Sequence, residues 1–156
     1  LIRRTFSMPT FATDTNLLEY EPQIKEFGIL EYTTEHEKTY EDIVRLLNIK
    51  WFPTTDFGRY DLSVLGTYST KLDTSKLDST QFTRAAVYHT LAYYIYPKLS
   101  TFEENDVFTN KRVYYTEKFL EEFDLILRSG VHYDIDSSGT FEDGEKTSFY
   151  NGRLIR

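Results

Sequence analysis

The chain has 156 residues, no cysteine, and 18 Lys and Arg against 25 Asp and Glu, for a formal charge of −7. That length suits one domain with a single hydrophobic core, and the missing thiols exclude disulfides, thiolate metal sites and cysteine nucleophiles together, which fits a reducing compartment. The acidic balance argues against general nucleic-acid binding, which needs clustered Lys and Arg, and no run approaches the roughly 20 apolar residues of a membrane span.

Leu1 to Phe11 has neither the apolar run nor the small-residue cleavage site of a signal peptide, so a soluble chain is expected. Both ends are basic around an acidic middle, with Arg3 and Arg4 at the start and Lys146, Arg153 and Arg156 at the finish. Solvated tails and arms for acidic partner surfaces are both consistent with that charge. With 13 Tyr, 12 Phe and Trp51, aromatic burial is the expected main source of core energy, and surplus Tyr suits interfaces.

In chain order, Asp14 or Thr15 is placed to cap a short helix carrying Leu17, Leu18 and Tyr20. Pro22 restarts a turn with Ile24 and Phe27 that Gly28 ends. Thr33 or Thr34 then precedes a longer helix in which Tyr40, Ile43, Val44 and Leu47 form one buried stripe, with Glu35, Glu37, Lys38, Glu41 and Asp42 on the exposed face. From Pro53 to Leu77 the periodicity gives way to Thr, Ser, Asp and Gly, apart from a β-like stretch around Leu62 to Tyr68. A connection of that length is either a contact arm or an excursion covering the helix ends.

Asp78 and Gln81 have capping-box spacing and open a helix carrying Phe82, Ala85, Ala86, His89, Ala92, Tyr93 and Tyr96, with Pro97 near its end. The next helix begins around Glu103 to Asp106 and runs to Ser129, with Tyr115, Phe119, Phe123, Ile126 and Leu127 on its stripe. Short connections favour antiparallel neighbours. The expected fold is mainly α: a small helical bundle with one long irregular or β-like arm, an EF-hand-like loop and a C-terminal tail. Residues 1–156 form a single domain, divided into N-terminal helices (12–50), arm (53–77), two long helices (78–130), calcium-type loop (134–145) and docking tail (146–156).

The sharpest chemical signal lies between Asp134 and Glu145. Counting Asp134 as position 1 of a twelve-residue calcium loop, Asp136 falls at 3, Ser138 at 5, Gly139 at the sharp turn of 6, Thr140 at 7, Glu142 at 9 and Glu145 at 12. Calcium is a hard cation that takes six to eight oxygens. The early side chains supply single oxygens, Thr140 its backbone carbonyl, and Glu145 both carboxylate oxygens. Phe141, at position 8, is placed to pin the loop to a core. The alternative is a metal-free acidic turn, since Asp-Ser-Ser-Gly is also an ordinary turn sequence. Two departures from a full helix-loop-helix hand are visible: Val131, His132 and Tyr133 intervene between helix and loop, and there is no second loop. Weak binding follows, about 0.1 to 1 mM as in extracellular modules.

Nothing in the sequence asks for an enzyme. His36, His89 and His132 have no metal-ligand spacing, and there is no nucleophile elbow, phosphate loop or dinucleotide fingerprint. His89, on an apolar stripe, reads as a hydrogen-bonded core histidine, and the acidic pairs Glu103-Glu104 and Glu121-Glu122 as solvated helix faces and starts.

Four segments in order, Phe11-Ala-Thr-Asp-Thr-Asn-Leu-Leu-Glu-Tyr, Leu46-Leu-Asn-Ile-Lys-Trp-Phe, Phe82-Thr-Arg-Ala-Ala-Val-Tyr-His-Thr-Leu and Val131-His-Tyr-Asp-Ile-Asp-Ser-Ser-Gly-Thr, resemble tailed-bacteriophage head-to-tail connector proteins. The resemblance covers most of the chain and rests on the order of elements and local wording. It implies a structural virion protein of the neck, an adaptor forming a ring beneath the portal, commonly of twelve copies. Such a ring extends the DNA channel and offers a platform to the next neck or tail-completion protein, without sequence recognition of the passing DNA and without a membrane. It also implies a C-terminal segment that inserts into the portal, here Lys146 to Arg156, presenting Lys146, Phe149, Tyr150, Arg153, Leu154 and Arg156. In that setting Ca2+ in the loop would be structural. The rival reading is a calcium-responsive protein-interaction module, although such sensors pair their loops and use Met-rich grooves, and this chain carries one Met.

Overall fold

The structure is a computed structural model that describes residues 9–55, 72–101, 103–141 and 145–147. The β-like stretch expected from Leu62 to Tyr68 lies outside the described residues, as does most of the expected arm. The described chain is mainly helical. Helix α1 spans Asp14–Tyr20. Its start is set by Thr13 rather than Asp14 or Thr15: the Thr13 amide and hydroxyl both donate to Asn16 Oδ1 at 3.0 Å. Asp14 is thereby released for a longer reach, taking His36 Nε2 at 3.0 Å, Lys25 Nζ at 3.4 Å and the Tyr32 amide at 3.3 Å. A short 3-10 turn, Ile24–Phe27, ends at Gly28 in the left-handed region (φ 96°).

Helix α2, Thr33–Lys50, buries Glu35, His36, Thr39, Ile43 and Leu47, while Tyr40 and Val44 are half-buried. The expected exposed face is therefore corrected at three positions, one of them Glu37, which is half-buried. Glu35 is buried and takes Lys98 Nζ at 2.8 Å, and Asp42 is half-buried and accepts the Tyr94 hydroxyl. Periodicity read from apolar residues alone misses carboxylates whose partners sit on another helix.

Asp78 does not form the expected capping box. Its carboxylate takes the Thr80 amide at 3.1 Å and opens a 3-10 turn, Ser79–Phe82. Gln81 bonds the chain 50 residues downstream instead, donating to the Gly130 carbonyl at 2.9 Å and accepting from the His132 amide at 3.0 Å. The α-helix begins at Thr83: α3 is Thr83–Thr90, a π-helical turn covers Leu91–Ile95, and α4 is Tyr96–Leu99. Pro97 has no N–H to give and its ring crowds the carbonyl four residues back. The wide turn before it, closed by the Tyr96 amide on the Leu91 carbonyl, lets the rod continue through that position.

Asp106 caps α5, Val107–Ser129, by accepting the Phe108 amide at 3.1 Å. The helix returns antiparallel along the rod, Tyr96 stacking on Phe108 and Tyr88 packing by Tyr115. Helix α2 lies on the rod's other side, with Thr39 Oγ1 2.8 Å from Thr90 Oγ1. Between them sit the fully buried Ile43, Leu47, Val87, Leu91 and Tyr96, with Trp51 and Phe82 toward the α3 start. After α5 comes an antiparallel pair that the periodicity did not announce, β1 (Val131–His132) and β2 (Lys146–Thr147), in the register Val131 with Thr147 and His132 with Lys146.

Gly130 joins α5 to β1 at φ 108°, and a Cβ there would stand 2.6 Å from the Lys146 carbonyl oxygen. Gly28 shares the positive φ but has open space around it. Gly130→Ala is therefore expected to cost about 2–4 kcal/mol, from backbone strain plus displacement of β2, against about 1–2 kcal/mol for Gly28→Ala. Equal midpoints in denaturant unfolding would contradict this.

His89 is buried, its Nδ1 3.4 Å from Thr39 Oγ1 and its Nε2 3.7 Å from Asp42. Burial lowers its pKa to about 4 against the opposing pull of Asp42. The unfolded chain takes up that proton near pH 6.5, so this contribution is full above neutrality and is lost as pH falls from about 6.5 to 4, by about 3 kcal/mol. In His89→Gln that part of the acid dependence should vanish, and parallel stability–pH curves for variant and parent would exclude it.

Candidate metal centre

The loop from Asp134 is held at its base before any ion is considered. The Tyr133 amide donates to the Glu145 carbonyl at 2.9 Å, and the Asp134 amide to the Lys76 carbonyl at 2.9 Å. Lys76 Nζ reaches the Ile135 carbonyl at 3.2 Å, and Leu77 pairs with Tyr133 as an isolated antiparallel bridge. The two ends of the loop thus hold each other, and a segment distant in sequence, Lys76 and Leu77, holds its start.

Within it, Asp134 Oδ1 accepts the Ser138 amide at 3.0 Å and Oδ2 the Gly139 amide at 2.8 Å. Asp136 Oδ1 shares the Ser138 amide at 3.1 Å. Ser138 Oγ lies 3.3 Å from the Thr140 carbonyl oxygen and 3.1 Å from Thr140 Oγ1. Glu145 is buried and closes the loop from its far end, taking the Asp136 amide on Oε1 at 3.2 Å. Gly139 makes the turn at φ 87°, and Ser137 before it is also left-handed at φ 57°. Hydrogen bonds from the Ser138 side chain and amide, with contributions from Asp134 and Glu145, hold the Asp136 carboxyl below its usual range.

Asp134, Asp136 and Glu145, expected at positions 1, 3 and 12, are brought together, each with a carboxylate oxygen within 4.8 Å of the others. Ligands on opposite sides of a calcium ion stand about 4.6–5.2 Å apart, and those of magnesium about 4.0–4.2 Å. An upper bound of 4.8 Å admits both ions, and the preference for calcium rests on the twelve-residue spacing of the loop. Clustered carboxylates repel one another. The loop amides offset part of this with or without a cation, and a divalent ion would reverse it.

Ser138 and Thr140 stand exposed beside the cluster. Glu142, expected at position 9, lies outside the described residues, as do Phe149, Tyr150, Arg153, Leu154 and Arg156 of the expected tail; Lys146 is exposed on β2. Phe141 is half-buried with its ring 5.6 Å from that of His132, an anchorage to the strand pair rather than to the main core. The histidines stand apart from the cluster. His132 Nδ1 is 3.1 Å from Asp78, His36 pairs with Asp14, and His89, on α3, faces Thr39 of α2.

Sequence reasoning missed Lys76, Tyr133 and Gln81 as supports, because their bonds cross some 50 residues or more of chain and no local spacing signals them. A polar groove of about 360 Å³, lined by Asn16, Glu19, Tyr20, Gln81, Arg84 and Glu122 among others, was also not expected.

No family model, no curated protein and no solved structure matches the chain.

Calcium is expected to bind with a Kd of about 0.1–1 mM and, at 10 mM, to stabilise the fold by about 2 kcal/mol. Magnesium should give less. Asp134→Ala and Asp136→Ala should each remove the gain, and thermal unfolding curves that coincide in calcium and in chelator would exclude the site.

Proposed function

We propose that the chain is a structural subunit of a tailed-phage neck, forming a ring that joins the portal to the tail and extends the DNA channel. In this reading the acidic loop holds a structural calcium ion and aims the docking tail, 146–156, at the portal. The observation that carries it is the join between loop and tail. Glu145 carries the closing carboxylate, and the next residues, Lys146 and Thr147, are paired to Val131 and His132 at the end of α5. A cation drawing Glu145 toward Asp134 and Asp136 therefore fixes the direction in which the chain leaves the bundle.

Three further features agree with the resemblance. The body is small and helical. Its net charge of −7 suits a channel wall along which DNA slides, since it repels phosphate. A ring also needs two different contact surfaces on each subunit, and a helical body with the arm expected at 53–77 has the material for both.

The test is a pull-down of tagged protein from its native lysate, with calcium and with chelator, read by mass spectrometry. The portal or a tail-completion protein should be recovered, and recovery should fall at least about tenfold in chelator and in the Asp134→Ala, Asp136→Ala double variant. Recovery of cellular proteins alone, only with calcium, would instead identify a calcium-responsive interaction module.

A further inference from the structure

Helix α5 leaves Val107, Val113, Tyr114, Leu120 and Leu125 exposed. Along one edge of its outer face run Val107, Lys111, Tyr114, Lys118, Glu121 and Leu125, spaced alternately four and three residues apart, the spacing of a helix–helix seam. Val107 is 61% exposed, Tyr114 53% and Leu125 59%. Each charged member has a local partner: Lys111 Nζ lies 3.0 Å from Glu21, and Lys118 Nζ stands 3.6 Å from Glu121 and 5.5 Å over the Tyr114 ring.

The order of these residues is self-complementary when reversed. We propose that a second copy of this chain docks on this stripe, antiparallel, about a two-fold axis level with Thr116. In that arrangement Val107 meets Leu125 of the other copy, Tyr114 meets Lys118 and Lys111 meets Glu121, each contact occurring twice as an isologous interface requires. The cation–ring contact made within each chain is then repeated between chains. A parallel copy in register would set Lys111 on Lys111, Lys118 on Lys118 and Glu121 on Glu121, and like charges along a seam oppose that pairing.

The helix is about 34 Å long, and one edge of it buries less than the roughly 800 Å² per partner of a standard interface. The pair is accordingly reversible and concentration-dependent. It is a form of the free chain and does not depend on the neck reading.

The chain has no cysteine, which makes a cross-linking test clean. Val107→Cys and Leu125→Cys proteins, mixed and mildly oxidised, should form a disulfide-linked dimer joining one of each. Neither should cross-link alone, because like positions lie about 27 Å apart in the antiparallel pair. In sedimentation, the parent should move from monomer to dimer between about 10 µM and 1 mM, and the Val107→Glu, Leu125→Glu double variant should stay monomeric with an unchanged circular dichroism spectrum. Cross-linking of either single variant with itself, a parent that is monomeric throughout, or a dimer that survives the double variant would each overturn the proposal.

Discussion

Tyr133 is the point on which the candidate site depends. Its ring meets Trp51 and Phe52 edge to face, at 5.7 and 6.3 Å between centroids, so the end of α2 and the residue before the loop share one aromatic cluster. Its hydroxyl accepts the Asp73 amide at 3.2 Å, and its backbone bridges Leu77 and Glu145. Burial raises its hydroxyl pKa, partly offset by the bond from Asp73, so the group remains a neutral phenol. Trp51 is fully buried, and rings of this size contribute several kcal/mol each. The acidic loop therefore stands on part of the main core, although its own residues are largely exposed.

Partly buried charge is handled by a recurring device. Glu21, Glu35, Asp14 and Asp42 lie on or beside the first two helices, and each is answered from another element. Lys111 and Tyr115 meet Glu21, Lys98 meets Glu35, His36 meets Asp14 and Tyr94 meets Asp42. Removing one partner of such a pair leaves a partly desolvated charge with less to answer it, a cost set against the modest gain of the pair itself. These contacts thus specify which faces of the helices meet, while the apolar core supplies most of the attraction.

Much of the bundle was legible because it is written in local spacing. The stripe of Tyr115, Phe119, Phe123, Ile126 and Leu127, the cap at Asp106 and the glycine stops at Gly28 and Gly130 each follow from residues a few positions apart. The acidic loop was legible for the same reason, and Asp134, Asp136 and Glu145 do converge. What the residues do not announce is long-range pairing. Glu35 looks like a surface residue until Lys98 is placed beside it, Gln81 fits a capping box as well as it fits the chain at Gly130, and a two-residue strand pair has too few positions to show alternation. Physically, these contacts depend on tertiary proximity, and local periodicity carries no record of it.

The wide turn at Leu91–Ile95 has a consequence for how the rod is addressed. One residue more than an α-turn rotates everything downstream by about 100°, so the rod carries two apolar phases rather than one. Ala85, Ala86 and His89 are set by the first phase, Tyr96 and Lys98 by the second. A change of length by one residue elsewhere in the rod would turn one set of partners away from α2 and α5. At this turn the slack already exists, and it is the seam at which the rod can gain or lose a residue while both ends keep their neighbours.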